Sequence, residues 1–159
     1  MFENILKKIS ILYIDDLINN NKDLLSKLEA NLANLYLSST DLSPTLQFNE
    51  CNPDIVIINI NLNDFDTVEI IKNIRENDPH MPIFVISSED DVSKCINTIA
   101  MDISGYIVEP ITSLEFIDKI VAFSKKFLCE VEKRDYAKIF QNVINSDNWL
   151  VVLMPSARL

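Results

Sequence analysis

The sequence predicts an α/β fold, a doubly wound parallel sheet of five strands with an extended C-terminal helix. Three observations lead there. Aliphatic runs of strand length recur five times along the chain, and stretches of helical spacing separate them. The runs, most clearly the first, third and fourth, are nearly continuous in apolar residues rather than alternating, as in strands covered on both faces. Strand and helix in regular alternation build a parallel sheet with crossover helices.

The first run is ISILYI, Ile9–Ile14, and a helical stripe of Leu24, Leu25, Leu28 and Leu32 follows it. The second is NLYLS, Asn34–Ser38; the weakly patterned Leu42–Cys51 behind it predicts a short helix. The third, DIVIINI at Asp54–Ile60, leads into a stripe of Val68, Ile71 and Ile74. The fourth, PIFVIS at Pro82–Ser87, precedes a stripe of Val92, Cys95, Ile96 and Ile99, and the fifth is GYIVE, Gly105–Glu109. From Ser113 a helical pattern runs through Leu114, Ile117, Ile120, Val121, Phe127, Leu128 and Val131. It does not stop where a closing helix normally would, but crosses EVEKRDYAK to Tyr136, Ile139, Phe140 and Val143. The expected organisation is therefore a domain over 1–127, a linker or signalling helix over 128–146, and a strand-like tail over 147–159. That tail, with WLVVLM, reads as the start of a second domain.

Composition excludes several functions. A net charge of −10, with only 14 scattered basic residues, disfavours nucleic acid and anionic membrane surfaces. The apolar part of the N-terminus is too short for a signal peptide or a membrane span. The chain has a single glycine, so no glycine-rich loop can cradle a phosphate. Cys51, Cys95 and Cys129 are far apart and outside any CxxC spacing; reduced thiols in a cytoplasmic protein are the expectation. His80, the one histidine, falls in the connecting turn NDPHMP and reads as surface.

In an open α/β sheet the site lies beyond the carboxyl ends of the strands. There the sequence delivers Asp15 and Asp16 after the first strand, Asn59 at the third, Ser87 at the fourth, and Glu109 before Pro110 at the fifth. With these positions and the flanking PDIVI, DFDTVEIIKNIR and ISGYIVEP, the chain resembles the receiver domain of two-component response regulators over residues 8 to 127. The resemblance implies a flavodoxin-like (βα)5 fold. It also implies roles: Asp15 and Asp16 form the acidic pocket, Asn59 stands where the family has its phospho-accepting aspartate, Ser87 and Tyr106 hold the switch positions, and Glu109 holds the place of the family's lysine.

Three departures decide the functional expectation. A carboxamide at position 59 has no charge and a poorly nucleophilic nitrogen, so acyl phosphate cannot form there. Glu109 reverses the sign of a group that should pair with a phosphoryl anion. Asn63 and Thr67 replace the usual proline and glycine, which points to a different path for the loop after Asn59. With Asp15, Asp16 and Glu109 beside a neutral Asn59, the pocket is one charge more negative than the family's. Either one carboxyl has a raised pKa or Glu109 swings out into water; the outward swing is the expectation. The family's remaining metal ligands would be Asp15, Asp16 and the Asn61 carbonyl, a weak Mg²⁺ or Ca²⁺ site; no other cofactor is implied. Without a phosphoryl group, Ser87 is expected to cap the turn that follows it and Tyr106 to be an ordinary sheet-edge residue.

The expected function is that of a degenerate, non-enzymatic receiver, independent of phosphorylation, acting through protein partners or a homodimer formed by its C-terminal helix. The alternative is the regulatory N-terminal part of a larger signalling protein with a PAS, kinase or cyclase output, retaining weak metal binding. Phosphorylation at Asp64 is disfavoured, because that residue lies in a loop without the lysine. An unrelated flavodoxin would need a phosphate loop where DDLINN stands. A dehalogenase-type phosphotransferase would need acids two positions apart, whereas Asp15 and Asp16 are adjacent.

Overall fold

The computed structural model of the protein describes residues 3–15, 21–39, 43–59, 67–88 and 97–144. Among them, β1 (Ser10–Ile14), β2 (Asn34–Ser38), β3 (Ile55–Asn59), β4 (Ile83–Ser88) and β5 (Gly105–Glu109) form one parallel sheet in the order β2-β1-β3-β4-β5. Every expected strand is present within a residue at either end. Helices among the described residues include α1 (Glu3–Leu6), which the sequence pattern did not announce, α2 (Lys22–Asn31), α3 (Pro44–Cys51), α4 (Thr67–Asn77) and α5 (Ser113–Ile144).

The ladder aligns Leu12 with Val56, Tyr13 with Ile57 and Ile14 with Ile58, and carries on from Val56 to Ile83 and Ile58 to Val85. Successive side chains alternate across the sheet. One face therefore gathers Leu12, Ile14, Val56, Ile58, Ile83 and Val85, packed with Phe48 of α3 and Ile70, Ile71 and Ile74 of α4. The other presents Tyr13, Ile57 and Ile86, and there Leu24 of α2, Ile86 and Phe116 of α5 border one cavity. Most of these strand side chains are fully buried, which explains why the runs read as continuous rather than alternating.

Local chemistry fixes the helix ends. Pro44 opens α3, and Asn52 closes it in the left-handed conformation, φ 47° and ψ 60°. A capping box opens α5: the Thr112 amide donates to Glu115 Oε2 at 3.0 Å and the Glu115 amide to Thr112 Oγ1 at 3.2 Å. Asp23, in the first turn of α2, accepts from Ser113 Oγ at 2.5 Å and pairs with Lys27 at 2.9 Å. The starts of α2 and α5 are thus joined beside the strand ends.

Two sequence expectations need correction. Ile99, assigned to a buried stripe, is 61% exposed, and Thr98 is buried instead; Val92, Cys95 and Ile96 lie outside the described residues. Leu114 is 68% exposed, while Phe116, two positions on, is the fully buried anchor of α5. Residues 114 and 116 lie about 200° apart around a helix, so Leu114 falls off the packing face, whereas Ile120 and Val121 of the predicted stripe are buried. By internal packing the chain divides into Met1–Val121 and Ala122–Leu159. In the second unit the Phe123 and Phe127 rings stack at 6.1 Å. The backbone is helical to Ile144, but the side chains of Leu128, Val131, Tyr136, Ile139, Phe140 and Val143, and all of 145–159, lie outside the described residues. Among the described residues no helix is long and apolar enough to cross a membrane.

The single glycine, Gly105, has no positive φ; among the described residues the left-handed positions are Asn52 and Asp102, at φ 47° and 56°. Gly105 is needed for space, since a Cβ there would overlap the ring of Phe84, its neighbour across the β4–β5 ladder. Gly105→Ala should destabilise the protein by about 1–3 kcal/mol through overpacking. Phe84→Leu should offset part of that loss when combined with it, which urea unfolding of the single and double variants will measure.

Candidate functional site

Strand alternation decides which groups meet. Asp15 follows Tyr13 on one face of the sheet, and Asn59 follows Ile57 on the same face. Asn59 is level with Ile86 across β3–β4, and Glu109, two residues beyond the buried Ile107, extends this row along β5. Asp15, Asn59 and Glu109 therefore share one side of the sheet at its carboxyl end. Ser87 follows Val85 on the opposite side, as does Tyr106, which packs against the α3–α4 core.

At the centre is a buried polar triad. Asp15 and Asn59 are 1% and 4% exposed, and Tyr13 is fully buried. Asn59 Nδ2 donates to Asp15 Oδ2 at 3.2 Å, and the Tyr13 hydroxyl donates to the same oxygen at 3.3 Å. The amide orientation follows from chemistry, because the reverse would face two acceptor oxygens. Burial, and then the charge of Asp15, push the Tyr13 phenol well above its ordinary value of 10.0, so it remains a protonated donor. The sequence reading missed Tyr13. The signal was present: a tyrosine in an aliphatic strand needs a partner for its hydroxyl, and the period of two puts Asp15 beside it.

Glu109 departs from the expected outward swing. It is half-buried and borders a cavity of about 120 Å³ with Asn21, Leu24, Ile86, Ile111 and Phe116. Burial, and then the charge of Asp15, raise its carboxyl above the ordinary 4.5. The other branch of the expectation, a carboxyl with a raised pKa, describes it. Ser87 is buried, and its Oγ donates to the Ser88 carbonyl at 2.9 Å. Thr67, in place of a glycine, is buried as the first residue of α4. Asp16, Asn61, Asn63 and Asp64 lie outside the described residues. His80 is exposed, as expected.

Of the expected metal ligands only Asp15 lies among the described residues, and no group of three His, Cys, Asp or Glu that could hold a cation occurs among them. The Asp15 oxygen that faces Asn59 already accepts two donors, and Asn59 offers that oxygen an N–H rather than an acceptor.

The raised Glu109 carboxyl has a consequence for stability. A group whose folded pKa exceeds its unfolded value contributes stability that is full below the unfolded pKa and lost as pH rises through the folded one. Glu109→Gln should therefore raise the thermal midpoint at pH 7, with the gain disappearing below the ordinary pKa of 4.5. Melting curves of both proteins across this range test it; an equal gain at all pH values would remove Asp15 and burial as the cause.

Comparison with known proteins agrees with this geometry. The family model of the response regulator receiver domain matches residues 11–121. The chemotaxis protein CheY-3 of Vibrio cholerae is 26% identical over 119 residues, which cover 72% of this chain and 90% of that protein. The transcriptional regulatory protein PrrA of Mycobacterium leprae is 24% identical over 123 residues, 73% of this chain and 50% of PrrA. For the transcriptional regulatory protein TrcR of Mycobacterium tuberculosis the match is 24% over 74 residues, 46% of this chain and 29% of TrcR. The chain thus spans half or less of the length of these two regulators. In fold it is similar to the signal receiver domain of a protein described as a LuxO repressor in Vibrio parahaemolyticus, with a TM-score of 0.67 at 14% identity, covering 77% of this chain and 95% of that one. The five-stranded parallel sheet, the polar row at its carboxyl end and the matched 111-residue span place the chain in the response regulator receiver domain family of two-component signalling.

Proposed function

We propose that this receiver domain signals without being phosphorylated, as a non-enzymatic module that acts through protein contacts. The observation that carries the reading is the Asn59–Asp15 hydrogen bond. At the position that resembles the family's acceptor, the side chain is an uncharged donor committed to its neighbour. Glu109 adds to it. Its carboxyl sits partly buried on the same side of the sheet and under the influence of Asp15, where a phosphoryl anion would meet negative charge. Loss of a well-placed stabilising donor typically costs about 3–4 kcal/mol in such transfers, and a reversed charge is at least as harmful.

The partner surface we assign is the C-terminal helix, as a homodimer or as a relay to a fused output. Helix α5 runs for 32 residues, about 48 Å, and the first compact unit ends at Val121 within it. A second reading makes this chain the regulatory part of a longer signalling protein with a PAS, kinase or cyclase output; PrrA and TrcR, of which it covers 50% and 29%, are themselves longer than the matched stretch.

Incubation with acetyl phosphate and Mg²⁺, read by intact-mass spectrometry, tests the central claim. The protein should gain no acid-labile phosphoryl group, Asn59→Asp should react slowly, and Asn59→Asp with Glu109→Lys should react about 10²–10³ faster than the single variant. Phosphorylation of the unaltered chain overturns the proposal. For the helix, sedimentation should show a dimer for the full chain and a monomer for a chain ending at Lys126; equal monomer masses would leave α5 without that role.

A further inference from the structure

The buried contact at the pocket's centre has a second implication, which deepens the reading of this site. Asp15 is 1% exposed, and a carboxylate withdrawn from water needs hydrogen bonds or opposite charge around it. Paired carboxylates at one strand end would need a shared proton or a cation between them. Here the second position is an amide, whose N–H meets Asp15 Oδ2 at 3.2 Å, with the Tyr13 hydroxyl on the same oxygen at 3.3 Å.

The backbone does not let this pair separate. Ile14 and Ile58, the residues immediately before Asp15 and Asn59, are partners in the parallel β1–β3 ladder, where strands lie about 4.8 Å apart. Relief of any repulsion between side chains 15 and 59 by backbone movement would require the central pairing of the sheet to open. Whatever stands at these positions must be compatible at close range.

We propose that the Asn59 amide, as a neutral hydrogen-bond donor, takes the place a divalent cation would otherwise hold beside Asp15, so that the pocket is assembled and kept in shape without metal. Asn59 is thus a structural donor as well as a missing nucleophile. Replacing it by aspartate converts a donor–acceptor contact into two facing carboxylates, and creates a need for a hard cation with oxygen ligands.

Thermal unfolding of the full chain, in EDTA and in millimolar MgCl₂, is the test. The unaltered protein should melt within about 1 °C of the same temperature in both, and calorimetric titration with MgCl₂ should give no saturable heat. Asn59→Asp should melt lower in EDTA and recover by about 4 °C or more with Mg²⁺. Asp15→Asn combined with Asn59→Asp restores one amide facing one carboxylate, and should again be indifferent to metal. This exchange keeps the test decisive if the single variant does not fold in EDTA. The proposal is overturned if the unaltered chain gains as much from Mg²⁺ as Asn59→Asp, if Asn59→Asp is as stable as the parent in EDTA, or if the exchanged pair is as metal-dependent as the single variant. None of these measurements involves phosphate, so a phosphorylated parent chain would refute the proposed function and leave this result standing.

Discussion

The pairing of β1 with β3 is the constraint from which the rest follows. It sets Leu12 and Ile14 against Val56 and Ile58 on the face that α3 and α4 cover. It sets Tyr13 against Ile57 on the other. A slip of one residue would turn every one of these side chains to the wrong layer. The same register carries Asp15 and Asn59 to one level and one side at the carboxyl end of the sheet. Core and site are consequences of a single alignment, which is why a polar triad can be buried there without loosening the strands around it.

That alignment also explains how much could be read from residues alone. The strands were legible because β1, β3 and β4 are covered on both faces and carry unbroken aliphatic runs. Asn59 and Glu109 were legible because strand ends are the positions where an α/β sheet presents chemistry. What failed was orientation. Leu114 and Phe116 are both apolar and two apart, and only the packing of α5 decides that Phe116 enters the core. Glu109 looked able to reach water, yet the cavity wall formed with Ile86 and Phe116 keeps it half-buried. Tyr13 escaped notice because an aromatic residue inside a strand reads as core until its hydroxyl needs a partner.

The described part of the site is coherent as a whole. The amide of Asn59 and the phenol of Tyr13 both serve Asp15, and Glu109 is tuned by burial and by that same carboxylate. Ser87 and Tyr106, expected as switch positions, face the other layer, with Ser87 bonded to its neighbour's carbonyl and Tyr106 packed against the core. The arrangement is one of hydrogen bonds internal to the sheet end.

The scarcity of glycine bears on the chain before it folds. Among the described residues the left-handed positions are Asn52 and Asp102, types whose short polar side chains tolerate that conformation better than most. Glycine roams more of φ/ψ space than any other residue, and its replacement at compatible positions stabilises by about 0.4–1 kcal/mol through the unfolded ensemble. A chain with one glycine in 159 residues therefore starts from a narrower distribution of disordered conformations. Part of its resistance to unfolding resides in that narrowness, in a state where none of the contacts described above exist.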